Sequence, residues 1–177
     1  CNAIRALNTG AKKGGFAHDT GEGGLTKYHL EPGGDLIWEI GSGYFGCRTP
    51  DGHFDLEKFA PKAEHEYGNC VSIKPSEGAN PGLGGVMPAE KVTAEIAEIR
   101  GVPEGKKCIS PPYHSAFHTP RELLEFVKTL RDASGGKPTG FKLCVGRKSD
   151  FLGICKAMLE TGIQPDFIIV DGGEGGT

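Results

Sequence analysis

Gly140-Phe-Lys-Leu-Cys-Val145 and Asp166-Phe-Ile-Ile-Val170 flank a segment, Ser149 to Gly162, in which Leu152, Cys155, Met158 and Leu159 recur at helical spacing. Strand, helix, strand is a βαβ unit, so the two strands run parallel and the crossover is right-handed. The second strand is an unbroken apolar run, the pattern of a strand buried on both faces. Ser149 is placed to cap the intervening helix and Gly162 to end it. Just upstream, Thr119-Pro-Arg-Glu122 reads as a capping box with proline at the first helical position. Leu123, Leu124, Val127 and Leu130 follow on one stripe, and Gly135-Gly136 stops that helix.

The alternation continues towards the start. Pro88 to Arg100 is expected to be a helix with Val92, Ile96 and Ile99 on one face, and Val71 to Lys74 a short strand before it. Cys108-Ile109 reads as a further strand. Asp55 to His65 reads as a helix interrupted by Pro61, Asp35 to Ile40 as a strand, and Cys1 to Leu7 as a helix. Repeated alternation of this kind is α/β. A doubly wound sheet fits in 177 residues, whereas a (β/α)8 barrel needs about 250. The chain opens on a helix at Cys1 and stops inside the glycine loop Gly172–Thr177. We therefore expect residues 1–177 to be one incomplete (β/α)8 barrel domain, with the first and last strands missing.

Composition narrows the function. The net charge is -3, from 20 Lys and Arg against 23 Asp and Glu, which argues against a nucleic-acid partner. The longest clean apolar run, Phe167 to Val170, falls far short of the roughly 18 residues of a membrane span. No basic-then-apolar leader is visible, so a cytoplasmic setting is expected. The six cysteines, at 1, 47, 70, 108, 144 and 155, include no C-x-x-C pair and no metal-ligand spacing. They read as free thiols in a reducing compartment. Glycine numbers 29, more than twice the usual share of about 7%. Many fall in loop pairs, serving tight turns or close approach of the backbone to a ligand.

Lys142 is the sharpest single signal, a cation between Phe141 and Leu143 in a strand expected to be buried. An unpaired buried ammonium is expensive. Either Lys142 faces a ligand site from the C-terminal end of a barrel strand, or it reaches solvent at the strand's end. Asp171 closes the last strand and opens Gly172-Gly173-Glu174-Gly175-Gly176, whose backbone N–H groups suit an anion or a flat ring. Thr20-Gly21-Glu22-Gly23-Gly24 is a second loop of this type, with His18 and Asp19 beside it. The proline- and glycine-rich loop from Lys74 to Gly85 follows a strand, where barrels place substrate contacts. Arg100 either complements its helix dipole or holds a carboxylate bidentately. His114 and His118 have no Ser/Asp partners in a triad arrangement.

Together, Thr20-Gly-Glu-Gly-Gly24, Gly78-Ala-x-Pro-Gly-x-Gly-Gly85, Lys91-Val-Thr-x-Glu-Ile-Ala-x-Ile-Arg100, Ile109-Ser-Pro-Pro112, Gly140-Phe-Lys-Leu143 and Asp171-Gly-Gly-Glu-Gly-Gly-Thr177 resemble the FMN-binding synthase domain of glutamate synthase. His18-x-Thr-Gly-Glu-Gly-Gly-Leu and Gly43-Tyr-Phe-Gly-Cys47 are closest to the stand-alone, glutamate-synthase-related members. The resemblance covers essentially the whole chain. It implies a barrel holding FMN at the C-terminal face of its strands. The implied reaction reduces 2-iminoglutarate, made from 2-oxoglutarate and glutamine-derived ammonia, to L-glutamate. An NAD(P)H subunit or ferredoxin would be the electron donor.

On that resemblance Lys142 and Lys74 are the catalytic candidates. Thr20, Gly21, Glu22, Lys142, Asp171, Gly172 and Gly173 would bind FMN, while Lys74, Glu77, Asn80 and Arg100 would bind substrate. The family's iron–sulfur cluster finds no ligand set among these cysteines. The family loop usually reads Gln-Gly-Ala-Lys-Pro-Gly, and here it is Glu77-Gly-Ala-Asn80-Pro-Gly. That gains an acid and loses a cation beside a dianionic substrate. One charge at 4 Å is worth roughly 4 kcal/mol at an effective dielectric of 20, so even a fraction of it weakens 2-oxoglutarate binding tenfold or more. Pro75 also forfeits a ladder hydrogen bond where a strand residue is expected. A family member with a different substrate, and a non-catalytic barrel or interaction domain, are the alternatives.

Overall fold

The computed structural model describes residues 2–66, 68–76 and 82–172. Its elements in chain order are α1 (Asn2–Gly14), β1 (His18–Asp19), α2 (Lys27–Leu30), β2 (Leu36–Ile40), α3 (Leu56–Ala63), β3 (Gly68–Ile73), β4 (Val86–Met87), a 3-10 turn (Ala89–Lys91), α4 (Ala94–Arg100), β5 (Cys108–Ile109), α5 (Pro120–Ala133), β6 (Thr139–Leu143), α6 (Lys148–Thr161) and β7 (Ile168–Val170). Five strands form one parallel sheet in the order β1-β2-β3-β6-β7, curled into a half-barrel. The antiparallel pair β4–β5 stands apart from it. The α/β reading and the partial barrel are both as expected.

Side chains alternate across a strand. Trp38 and Ile40 of β2, Val71 and Ile73 of β3, and Phe141 and Leu143 of β6 all enter one core with Phe59 of α3 and Leu124, Val127 and Leu130 of α5. Trp38 stacks on Phe59 with centroids 5.1 Å apart. Residues 39, 72 and 142 therefore point to the opposite, concave face.

Helix α5 begins as its sequence predicts. Thr119 Oγ1 accepts from the Glu122 N–H at 3.2 Å, and Glu122 Oε2 accepts from the Thr119 N–H at 3.0 Å. Gly135 and Gly136 follow its end at φ +74 and +86, a conformation glycine adopts without steric cost. Four expectations shift. Helix α6 starts after Arg147, with no side-chain cap, and not at Ser149, whose hydroxyl turns to Asp150. Its packed face is Phe151, Ile154, Ala157 and Met158, about a quarter-turn from the stripe read in sequence, which leaves Leu152 and Leu159 exposed. The stretch from Pro88 to Arg100 is broken, because the Thr93 hydroxyl accepts from the Ile96 N–H and restarts the helix there. β7 is an edge of the described sheet, with Val170 63% exposed, where burial on both faces was expected. Asp166 lies outside it and takes hydrogen bonds from Arg131 and the Thr139 N–H.

Candidate active site

Parallel strands bring their C-terminal ends to one rim. Thr20, Gly21 and Glu22 follow β1, Gly41 follows β2, Lys74 follows β3, and Asp171 follows β7. The period of two puts Glu39, Ser72, Lys74 and Lys142 on the concave face below or at that rim. Their charges pair in a row. Lys142 Nζ lies 2.8 Å from Glu39 Oε2, Glu39 Oε1 lies 3.9 Å from Lys74 Nζ, and Lys74 Nζ lies 2.8 Å from Glu22 Oε2. Glu22 Oε1 in turn lies 3.4 Å from the Ser110 hydroxyl, which accepts from the Gly85 N–H at 2.9 Å.

Burial decides how these groups behave. Glu39's side chain is 3% exposed, against 13% for Lys74, 21% for Lys142 and 29% for Glu22. Burial, and behind it the Asp19 carboxylate, pushes the Glu39 carboxyl above its ordinary range, against the pull of Lys142 and Lys74. Glu22 itself is packed closely. A Cβ on Gly41 would come within 2.8 Å of Glu22 Cβ, and one on Gly85 within 3.1 Å of Glu22 Oε1. Glycine at both positions lets the loops close around the carboxylate.

Glu22, Lys74 and Ser110 line a cleft of about 510 Å³ together with Gly84, Gly85, Met87, Cys108 and Arg100. Arg100, at the last turn of α4, lies over the Phe45 ring at 4.6 Å from its centroid, with Nη1 3.8 Å from Cys108 Sγ. Its guanidinium edge passes Gly23, where a Cβ would meet Nη2 at 3.4 Å. Of the predicted site residues, Lys142 and Lys74 meet through Glu39, Lys74 pairs directly with Glu22, and Arg100 shares the cleft with Lys74 and Glu22. The Thr20 hydroxyl is taken up by the backbone, accepting from the Glu39 N–H and donating to the Gly21 carbonyl. Gly21, at φ +69, gives its N–H to Asp19. The Asp171 N–H donates to the Leu143 carbonyl, continuing the β6–β7 ladder, and Gly172 follows it, exposed. Glu77, Asn80 and Gly173 lie outside the described residues, as do Glu174 to Thr177.

A second cleft, about 550 Å³, runs past His114, Phe117, His118 and Pro120 to Ile154. His114 there is a packing residue. Its Nε2–H donates to the Lys74 carbonyl at 2.9 Å, and its Nδ1 accepts from the Tyr44 hydroxyl at 3.1 Å. Burial brings its pKa down to about 4. His29, 2% exposed and 5.6 Å from the His18 ring, is brought to about 4 by burial and then by His18. Among the described residues, no group of three or more His, Cys, Asp or Glu is placed to hold a metal ion, and the five cysteines are free. No helix among them is long and apolar enough to cross a membrane.

Sequence reasoning missed Glu39 and Ser110. The signal for Glu39 was available, because Leu36-Ile-Trp-Glu-Ile40 carries one acid in a buried strand as Phe141-Lys-Leu143 carries one base. A lone charge in a buried strand marks each of them as needing a partner, while strand order and register decide which one it finds. Ser110 has no comparable signal.

The family model for the conserved region in glutamate synthase matches residues 1–177. The chain is similar to the glutamate synthase large subunit-like protein YerD of Bacillus subtilis, 41% identical over 176 residues, which are 99% of this chain and 33% of that protein. It is 32% identical over 177 residues to the archaeal glutamate synthase (NADPH) of Methanocaldococcus jannaschii, covering 99% of this chain and 31% of that one. It is 33% identical over 178 residues to the archaeal-type glutamate synthase (NADPH) of Thermotoga neapolitana, covering 99% and 32%. The chain spans about a third of the length of these relatives.

Proposed function

Since the chain belongs to the glutamate synthase family through the region conserved there, we propose that it forms the site half of an FMN-dependent oxidoreductase that makes L-glutamate from 2-oxoglutarate and ammonia. The observation that carries this reading is the row Lys142–Glu39–Lys74–Glu22 on the concave face of a parallel half-barrel. Ammonium groups presented from strands at a shallow rim fit the electron-rich edge of a flavin, so the donor chemistry suits the group. Bound FMN would supply the hydride that reduces 2-iminoglutarate.

The chain's own residues then have separate tasks. Lys142 holds a positive charge at the ring edge where negative charge develops. Lys74 and Arg100 face one cleft and take the two substrate carboxylates, Arg100 with its planar fork and Lys74 as a point charge. Thr20 and Gly21 shape the β1 loop, and Glu22 orients Lys74. Asp171, Gly172 and Gly173 bind the ring. Glu77 and Asn80 tune the charge met by the substrate. A reduced pyridine nucleotide or a ferredoxin provides the electrons, and the setting is cytoplasmic.

The full-length protein, purified, should show a flavin absorbance band and bind added FMN. It should also form L-glutamate from 2-oxoglutarate with ammonium or glutamine when supplied with NADPH. A colourless protein that ignores FMN would overturn the reading. The 2.8 Å Glu22–Lys74 pair favours a second reading, since one of the cleft's two cations already has a carboxylate partner. A substrate carrying an amine would suit that balance better than a dicarboxylate. Glu77→Gln with Asn80→Lys should then raise 2-oxoglutarate turnover, and an unchanged rate removes this second reading.

A further inference from the structure

We propose that Glu39 is a positioning residue that holds Lys142 and Lys74 at the rim and sets the charge they present. Glu39 stands on β2 and Lys142 on β6, with β3 between them in the sheet. Neighbouring strands lie about 4.8 Å apart, so this pair spans roughly twice that distance. The register explains how. Glu39 is opposite Ser72, and Ser72 is opposite Gly140. Both intervening residues are small, so two long side chains cross β3 and meet at 2.8 Å. Ser72 is 0% exposed. The second carboxylate oxygen faces Lys74 at 3.9 Å, so one buried acid stands between two cations that would otherwise repel each other on the same face.

With Glu39 ionised, Glu22, Glu39, Lys74 and Lys142 balance to zero. Glu39→Gln keeps the size and leaves the group at +1. Two consequences follow, and only the second rests on the flavin reading. First, Lys142 loses its anchor and becomes a better nucleophile towards an acylating reagent. Second, the uncompensated cation favours the reduced, more negative flavin.

The test uses the full-length protein. Brief acetylation with acetic anhydride, read residue by residue by mass spectrometry, compares Lys142 with Lys156, whose side chain is 77% exposed. In Glu39→Gln the relative rate at Lys142 should rise fivefold or more. Glu39→Asp, which retains the charge on a shorter arm, should raise it too and serves if the Gln variant does not fold. An unchanged rate in a folded variant overturns the proposal. In FMN-loaded protein, Glu39→Gln should shift the two-electron flavin equilibrium at least tenfold towards the reduced form, about 30 mV. That shift should vanish in a Lys142→Met background. A loaded protein whose potential does not move also overturns the proposal. Wild-type protein that takes up no FMN sinks the flavin reading, and the acetylation rates then decide Glu39's role by themselves.

Discussion

Glu22 Oε2 lies 2.8 Å from Lys74 Nζ, and Oε1 of the same carboxylate lies 3.4 Å from the Ser110 hydroxyl. One side chain from the turn after β1 thus ties together the end of β3 and the loop after β5. The rim has its shape because these three loops converge on one charge.

Lys74→Met should cost about 1–3 kcal/mol of stability in urea unfolding, because it strands Glu22 and removes one of two cations beside the buried Glu39. Adding Glu22→Met should recover part of that loss, since the double variant no longer leaves the Glu22 carboxylate without its partner. A double variant as unstable as the two single losses summed would show that the pair is not coupled.

Two glycine-to-alanine changes should move stability in opposite directions. Gly41→Ala brings a methyl to 2.8 Å from Glu22 Cβ and should cost about 1–3 kcal/mol through crowding. Gly10→Ala lies on the exposed side of α1 with nothing within 4 Å, and should gain about 0.5–1 kcal/mol from helix propensity. Thermal melts of the two variants check both signs.

His114 makes stability depend on pH. The folded protein holds it neutral down to about pH 4, whereas the unfolded chain takes up the proton near 6.5. The unfolded state therefore binds more protons between those values, and stability falls as pH drops from about 6.5 to 4. Below that the slope flattens. The full effect is on the order of 3 kcal/mol. His29 acts in the same window. His114→Gln should flatten the slope of unfolding free energy against pH from 7 to 4, and an unchanged slope would assign the dependence elsewhere.

Arg100→Lys should raise KM for 2-oxoglutarate about tenfold while leaving kcat within a few-fold. It retains the charge but loses the planar fork and the stacking on Phe45 at 4.6 Å. Steady-state kinetics of the full-length enzyme separate the two parameters. An equal fall in kcat would place Arg100 at the reacting atoms instead.

Most of the architecture was legible in the chain because its signals are local. The capping box at Thr119, the stop at Gly135 and the apolar run before Asp171 each act within a few residues of themselves. Where local signals competed, reading failed. Thr93 carries a hydroxyl that restarts a helix inside an otherwise unbroken apolar periodicity. In α6 two apolar stripes were available, and Leu152 and Leu159 lost to Phe151 and Ile154 because only the latter pack against the core.

Lys142 could be singled out from its neighbours alone, as a charge where a buried strand has no room for an unpaired one. Its partner could not be named in that way. Whether Glu39, Glu22 or water answers that charge depends on which strands stand beside each other and in what register. Those are long-range facts, decided when Trp38, Ile40 and Phe141 bury their shared face against α3 and α5. That burial turns Glu39, Lys74 and Lys142 together onto the other face, because side chains on a strand alternate and a register error of one residue would reverse every one of them.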